Sequence, residues 1–454
     1  MTVYAYELPT TGTFSFAEHF SDPSASCAVA LADATQARAN VRALLKESKR
    51  TDGDKDYLRL VKTLEDYLPH LYGVLASVRS GDLAPKQRPI FSWRSTLSAR
   101  FLPGSPRLSL PGLPTEHAFT LLTYAATLAH LARVNIASLG SYERARGVSD
   151  AERRAKDEQL GHAVALLCRA AGVYAHAAEV IGEADREPGW LAGAERPPEL
   201  CKEVASALSK LSLAAAQSLA IRKLLSKAAA DLALSPGPPL PRSHPSPALL
   251  AKLHLDAADL CTSAAALLRM PGATRAHGET DAGEVSSDLI RFAADESALH
   301  TALAYKWLGV DAGEVDIHTR GGVAVGFLSW AQRALADAKD RARDDAKRRI
   351  VEEIESVGAF LRHYKKLNDT LAYKPIPSQT ELQASIPTGR LAVAIRPFAP
   401  PAPAFGPGSV EYARVQAAAL EISVADEGSE TGTSGEAGAP AADGPAYLGK
   451  GSYF

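Results

Sequence analysis

Two neighbouring stretches rich in alanine and leucine decide the fold of this chain. Residues 199–228 read ELCKEVASALSKLSLAAAQSLAIRKLLSKA, and residues 247–270 read PALLAKLHLDAADLCTSAAALLRM. In both stretches apolar residues recur three to five positions apart, which is typical of an α-helix with one apolar face. Alanine fills many of these positions and lets neighbouring helices approach closely. The two stretches therefore predict a pair of packed helices, separated by a Pro-rich loop that cannot be helical.

The second helix begins with a small apolar group formed by Leu249, Leu250 and Leu253. One interpretation is that these leucines belong to an ordinary core. The other is that they line a groove that accepts a helix from another protein. Periodicity alone does not distinguish the two interpretations.

Composition indicates a soluble globular protein of 454 residues with 46% hydrophobic and 22% charged residues. The 50 basic and 52 acidic residues leave no net charge that would favour nucleic acid or an anionic membrane. The four cysteines are widely spaced and predict reduced thiols in a cytoplasmic protein. No signal peptide and no apolar run of membrane-spanning length is present, so we expect no transmembrane segment.

Helical patterns continue through most of the chain and predict an all-α protein. At the N-terminus, Tyr4, Tyr6, Phe14 and Phe16 alternate with polar residues, which indicates an edge hairpin or an extended arm. The loop at residues 80–113 is expected to bury Phe91 and Trp93 and to carry an apolar tip at Phe101 and Leu102. Residues 321–368 are predicted to form the longest single helix.

The helical pattern ends after Asn368. The following Pro-rich stretch predicts an extended segment strapped over the helices. We divide the chain into a folded domain over residues 1–405 and a mostly disordered, acidic Gly/Ser/Ala tail over residues 406–454.

Sequence motifs for catalysis are nearly absent. Glu296 and His300 form a carboxylate–histidine pair at helical spacing, and a metal site needs three or four ligands. The motif GGVAVG at residues 321–326 has the wrong spacing for a nucleotide loop, and we interpret it as a loop that leads into a helix. We therefore predict no catalytic residues, no metal, no cofactor and an interaction scaffold rather than an enzyme.

Several motifs, in order, resemble the BRO domain of Alix-type ESCRT adaptors. They are FSWRSTL at 91–97, LARVNIASLGSYERA at 131–145, AAGVYAHAAEVI at 170–181, LSLAAAQSLAIRK at 211–223, PALLAKLHLDAADL at 247–260 and LNDTLAYKPIP at 367–377. The resemblance covers roughly residues 1–405. It implies an elongated, boomerang-shaped helical domain, similar to a tetratricopeptide solenoid, with a small N-terminal β-hairpin.

The resemblance also implies a partner. BRO domains bind the C-terminal amphipathic helix of the main filament-forming ESCRT-III subunit in a shallow apolar groove. The groove positions of the family fall on Leu249 and Leu253, with Leu250 beside them. A third position, often aromatic in the family, falls near Ala220, where neighbouring Ile221 or Leu219 is a candidate to supply the missing contact.

The plan of one such domain and a short tail is similar to the stand-alone BRO-domain branch, whose C-terminus is prenylated. This chain ends in GKGSYF without a cysteine box, so the lipid anchor is not expected, and peripheral association with the endosomal membrane is left open. We expect a cytoplasmic adaptor recruited to endosomes. The alternatives are a helical scaffold for another pathway, such as ambient-pH signalling, or an all-α enzyme.

Overall fold

The computed structural model describes residues 3–23, 27–99, 107–144, 149–234, 238–270, 284–342 and 344–427. The expected tip at Phe101 and Leu102 and the end of the tail from residue 428 lie outside these ranges. Within them the chain is mainly helical, which confirms the all-α prediction. The helices are α1 (Phe16–His19), α2 (Ala28–Arg50), α3 (Tyr57–Ser80), α4 (Leu113–Leu139), α5 (Asp150–Ala184), α6 (Lys202–Leu234), α7 (Pro247–Leu268), α8 (Ser287–Val315), α9 (Ile317–Arg341), α10 (Asp344–Leu367), α11 (Gln379–Ala384) and α12 (Val410–Glu427).

Four short strands lie in the N-terminal part and form two antiparallel pairs. They are β1 (Phe20–Ser21), β2 (Ala84–Pro85), β3 (Ile90–Trp93) and β4 (Leu108–Pro111), with β1 paired to β2 and β3 to β4. The N-terminal arm adds to the second pair through a bridge between Thr11 and Trp93. Phe91 and Trp93 are buried as expected. The predicted small β-hairpin of the N-terminal region is therefore present as β3 and β4.

Consecutive helices from α4 to α10 each pack against the next, which gives the solenoid-like order predicted for the chain. Two separate hydrophobic cores lie inside this stack. The N-terminal core includes Trp93, Phe119 and Leu208, and the C-terminal core includes Phe327 and Tyr364. Helices α6, α7 and α8 contribute side chains to both cores and so join the two halves.

The helix predicted for residues 321–368 is instead two helices, because Ala342 leaves the helical conformation with φ −72° and ψ 149°. The single-helix prediction was wrong because the charge pattern continues across Ala342 and carries no stop signal. α9 ends at Arg341 and α10 begins at Asp344, and the two helices pack against each other.

A strap, which we define as residues 373–405, crosses the helices in a mainly extended conformation that is interrupted by α11. Its backbone bonds to the helix carbonyls of Lys252 in α7, Cys168 in α5 and Pro69 in α3. This confirms the prediction of an extended segment strapped over the helices. Beyond the strap, α12 runs from Val410 to Glu427, inside the segment predicted from the sequence to be the tail.

The motif GGVAVG lies inside α9, so the prediction of a loop was wrong. The glycines are needed for close packing rather than for a turn. A Cβ on Gly322 would lie 1.9 Å from the carbonyl oxygen of Pro375, and one on Gly326 would lie 2.8 Å from Leu382 Cδ1. Glycine at these positions lets the beginning of the strap and α11 lie directly on the helix.

Candidate functional site: a groove beside the strap

Half-exposed apolar side chains face solvent where the C-terminal half of α6 lies beside the start of α7. Ala220 and Leu249 are partly buried, and Leu224 is 40% exposed. Leu224 follows Ala220 by four residues and so lies on the same face of α6. We call Ala220, Leu224 and Leu249, with the buried side chains beneath them, the α6–α7 groove.

The other predicted groove residues lie below this surface. Leu250 is fully buried, and Leu253 and Ile221 are each 2% exposed within the C-terminal core. Leu219, which was considered as a substitute for the missing aromatic residue, is also fully buried. The structure therefore brings all five predicted residues to one place, with Leu249 and Ala220 at the surface and the other three packed beneath it.

The side of α6 away from α7 faces α5. A Cβ on Gly161 of α5 would lie 3.1 Å from the Nζ atom of Lys223. α5 and α7 thus lie on either side of this part of α6, which we call the groove floor.

The strap crosses α6 beside the groove, and the side chain of Gln217 bonds to its backbone. Gln217 Nε2 donates to the Arg390 carbonyl at 2.8 Å, and Gln217 Oε1 accepts from the Ala392 N–H at 2.8 Å. The Arg390 N–H donates to the Lys252 carbonyl at 2.9 Å. Since Gln217 precedes Ala220 by three residues, the strap crosses α6 about 4.5 Å along the helix axis from the groove floor.

Exposed basic residues lie on the elements that contribute to the groove and on the strap beside it. Lys223 in α6, Lys252 in α7 and Arg390 in the strap are exposed, and none of them has an ion pair with another described residue. The nearest carboxylate, Asp256, accepts a hydrogen bond from Gln217 at 3.3 Å. Burial, and then the charge of Asp259, raises the pKa of Asp256 above its usual value.

The Glu296–His300 pair lies in a different setting, between the two cores. His300 Nε2 is 3.9 Å from Glu296 Oε2, and the Nδ1 atoms of His300 and His254 are 2.9 Å apart, so that one imidazole donates to the other. Burial lowers the pKa of His300 to about 4 and that of His254 well below its usual value. The cavity beside Glu296 and His300 has a volume of only about 10 Å³, close to the space of one water molecule.

Within the described ranges, no group of three or more His, Cys, Asp or Glu residues is placed to hold a metal ion. Two helical segments, Ala151–Ala184 and Lys202–Ser226, are long and apolar enough to cross a membrane by length and composition alone. Of their most apolar windows, 67% and 83% respectively are buried inside the fold, as expected for core helices of a helical stack.

Residues 15–409 match the BRO1-like domain family, and the chain belongs to this family. The fold agrees with that assignment. The BRO1 domain of ALIX in the ALIX BRO1 CHMP4C complex superposes with a TM-score of 0.61 at 18% identity, over 89% of this chain and 98% of that one. A structure described as the basis for endosomal targeting by the Bro1 domain gives a TM-score of 0.59 at 16% identity, over 87% and 94% of the two chains.

A more specific similarity comes from a fungal protein. The pH-response regulator protein palC of Cryptococcus neoformans is 33% identical to this chain, and the alignment covers 100% of both sequences. The chain thus resembles a stand-alone BRO1 protein of a pH-response pathway along its whole length.

Two parts of the groove were not predicted from the sequence as site residues. Leu224 could have been found, because it lies one helical turn after Ala220 on the same face. The contribution of Gln217 and of the strap could not, because Gln217 and Arg390 are 173 residues apart in the chain and meet only in the fold.

Proposed function

We propose that this protein is an adaptor that binds the C-terminal amphipathic helix of an ESCRT-III filament subunit in the α6–α7 groove. The observation that carries the proposal is the accessible pair Leu224 and Leu249 above an apolar floor, at the position that the BRO-domain resemblance assigns to helix binding. Membership of the BRO1-like family and the likeness to an ALIX domain solved with CHMP4C support it.

The size of the groove sets the expected strength of binding. Fully burying a leucine side chain contributes about 1.5–3 kcal/mol. Leu224 and Leu249 are already partly covered, so each contributes less than this when a helix docks. After the cost of ordering the peptide, we expect dissociation constants in the micromolar range or weaker, which suits reversible capture.

Leu249→Asp is the substitution that tests the groove. It places a charge against the docked helix, so we expect binding of a synthetic C-terminal ESCRT-III peptide to be lost in isothermal titration calorimetry. Leu253→Asp does not serve this purpose, because a charge at a side chain only 2% exposed would destabilise the core.

The matched control is Leu58→Asp, since Leu58 is 51% exposed on the distant helix α3. It should bind like the wild-type protein, and both variants should melt near the wild-type temperature. Unchanged affinity of the Leu249→Asp protein would show that the groove assignment is wrong.

We further propose that the adaptor acts in the response to ambient pH and is recruited from the cytoplasm to endosomes. The full-length similarity to palC supports the pathway, and the likeness to a Bro1 domain described in endosomal targeting supports the location. A strain whose only copy carries Leu249→Asp should lose the wild-type growth response when the pH of the medium is shifted, and should grow like the wild type when the pH is not shifted. A normal growth response of this strain would show that the groove is not needed for the pH response.

A further inference from the structure

The part of the strap beside the groove is fixed by hydrogen bonds from a buried side chain and by close backbone packing. Gln217 is fully buried and uses both ends of its amide on the backbone of Arg390 and Ala392. At the residue before Arg390, a Cβ on Gly389 would lie 2.8 Å from the backbone nitrogen of Asp256. The strap backbone is therefore fixed on both sides at this point, while the side chains of Arg390 and Leu391 remain exposed.

Fixing the backbone has a consequence for the side chain of Arg390. The residue bonds through its own N–H to α7 and through its own carbonyl to α6, so its Cα has a set position beside the groove. Lys252, whose carbonyl receives the Arg390 N–H, is exposed on α7 three residues after Leu249. Lys223 is exposed on α6 three residues after Ala220, and its Nζ atom lies beside Gly161 of α5.

The apolar surface thus has an exposed basic residue on each of three elements, α6, α7 and the strap. Among the described residues, none of them is neutralised by an ion pair, and Asp256 is engaged by Gln217. A helix that docks on Leu224 and Leu249 brings the residues flanking its apolar face next to these cations. Carboxylates at those flanking positions would be attracted, and lysines or arginines would be repelled.

We propose that the strap takes part in binding at the groove, because Gln217 positions Arg390 beside it. Arg390, Lys252 and Lys223 then select a partner helix that carries carboxylates beside its apolar face. This inference rests on the proposed function, since it concerns the same groove. It adds the charge of the partner and a role for the strap, neither of which follows from the apolar residues.

The test uses the full-length protein and two peptides in fluorescence anisotropy. One peptide is the ESCRT-III C-terminal helix, and the other is the same peptide with its acidic residues changed to Gln or Asn. At about 50 mM salt the wild-type protein should bind the acidic peptide at least about fivefold more tightly. The difference should shrink at about 500 mM salt, because exposed charges are then screened.

Charge reversal provides the matched comparison. Arg390→Glu and Lys252→Glu should each weaken binding of the acidic peptide by about fivefold at low salt and leave the neutral peptide unaffected. Arg396→Glu is the control, because it makes the same charge change on the strap at a residue whose backbone bonds to Cys168 of α5 and not to α6 or α7. The Arg396→Glu protein should bind both peptides like the wild type. Gln217→Leu should remove the preference for the acidic peptide and speed hydrogen exchange at Arg390 and Ala392.

The outcomes separate this inference from the proposed function. If neither peptide binds the wild-type protein, the proposed function fails, and the inference fails with it. If both peptides bind equally at low salt, or if Arg390→Glu and Arg396→Glu behave alike, the groove binds a helix but the basic residues do not select it, and this inference alone is overturned. Faster exchange at Arg390 and Ala392 with an unchanged peptide preference in Gln217→Leu would overturn the role of Gln217.

Discussion

The buried ion pair of Arg38 and Glu116 offers the sharpest test of how the N-terminal half is held together. Both side chains are almost completely buried, at 2% and 1% exposure. Glu116 in α4 accepts from Arg38 Nε at 2.8 Å and Nη2 at 3.0 Å, and it also accepts from the Tyr67 hydroxyl at 2.9 Å and the Trp93 indole at 2.8 Å. Arg38 in α2 further donates to Thr11 and Gly12 of the N-terminal arm. One carboxylate therefore joins α2, α3, α4 and β3.

Glu116→Gln keeps the size of the side chain and removes its charge. It leaves the Arg38 guanidinium without a counter-charge, and it places an amide NH₂ among four donors. Breaking a buried pair in this way costs about 3–5 kcal/mol. We therefore expect the free energy of unfolding of the N-terminal half to fall by that amount, measured by urea denaturation followed through tryptophan fluorescence. The double variant Arg38→Gln/Glu116→Gln should cost less than the sum of the two single variants.

The control for this experiment is Glu47→Gln. Glu47 pairs with Arg59 at 3.9 Å on the surface, where both side chains are 62% exposed. Such a pair contributes about 0–1 kcal/mol, so the control should unfold close to the wild-type midpoint. A loss below about 1 kcal/mol for Glu116→Gln, or strictly additive single and double variants, would refute the assignment of the pair as a shared anchor.

Two further predictions concern the histidines and the strap. Burial lowers the folded-state pKa of His300 to about 4, below its unfolded value of about 6.5. Between these two pH values the unfolded chain binds more protons than the folded protein. The contribution of His300 to the free energy of unfolding is therefore complete above about pH 6.5 and is lost as the pH falls towards 4. His300→Gln should flatten this slope in melting temperatures measured from pH 7 to pH 4, and an unchanged slope would contradict the assignment. Gly172→Ala should destabilise the protein and expose residues 394–398 to hydrogen exchange, because the new Cβ would lie 1.8 Å from the Arg396 carbonyl oxygen. Gly161→Ala is the comparison, because its Cβ would meet only the flexible end of Lys223 at 3.1 Å. It should stabilise α5 by up to about 1 kcal/mol. Equal changes in stability for the two substitutions would exclude a tight strap contact at Gly172.

The sequence by itself determined the all-α class, the paired helices α6 and α7, and the extended path after Asn368. These features follow from local patterns: apolar spacing, alanine content and proline, each of which acts within a few residues. Resemblance to BRO domains then located Leu249, Leu253 and Ala220. Local pattern failed at Ala342, where the charge pattern carries no stop signal, and at GGVAVG, whose glycines are explained by close contacts with Pro375 and Leu382 about 50 residues away in the chain.

The tertiary structure alone decided which leucines of α6 and α7 are accessible. Helical spacing makes Leu249, Leu250 and Leu253 look alike, yet packing against α8 and α9 buries two of them and leaves Leu249 half-exposed. The strap that crosses α6 beside the groove was likewise visible in the sequence only as a Pro-rich segment. Its register on Gln217, Lys252 and Asp256 depends on atoms brought together across more than 130 residues, and no pattern of local spacing encodes such a contact.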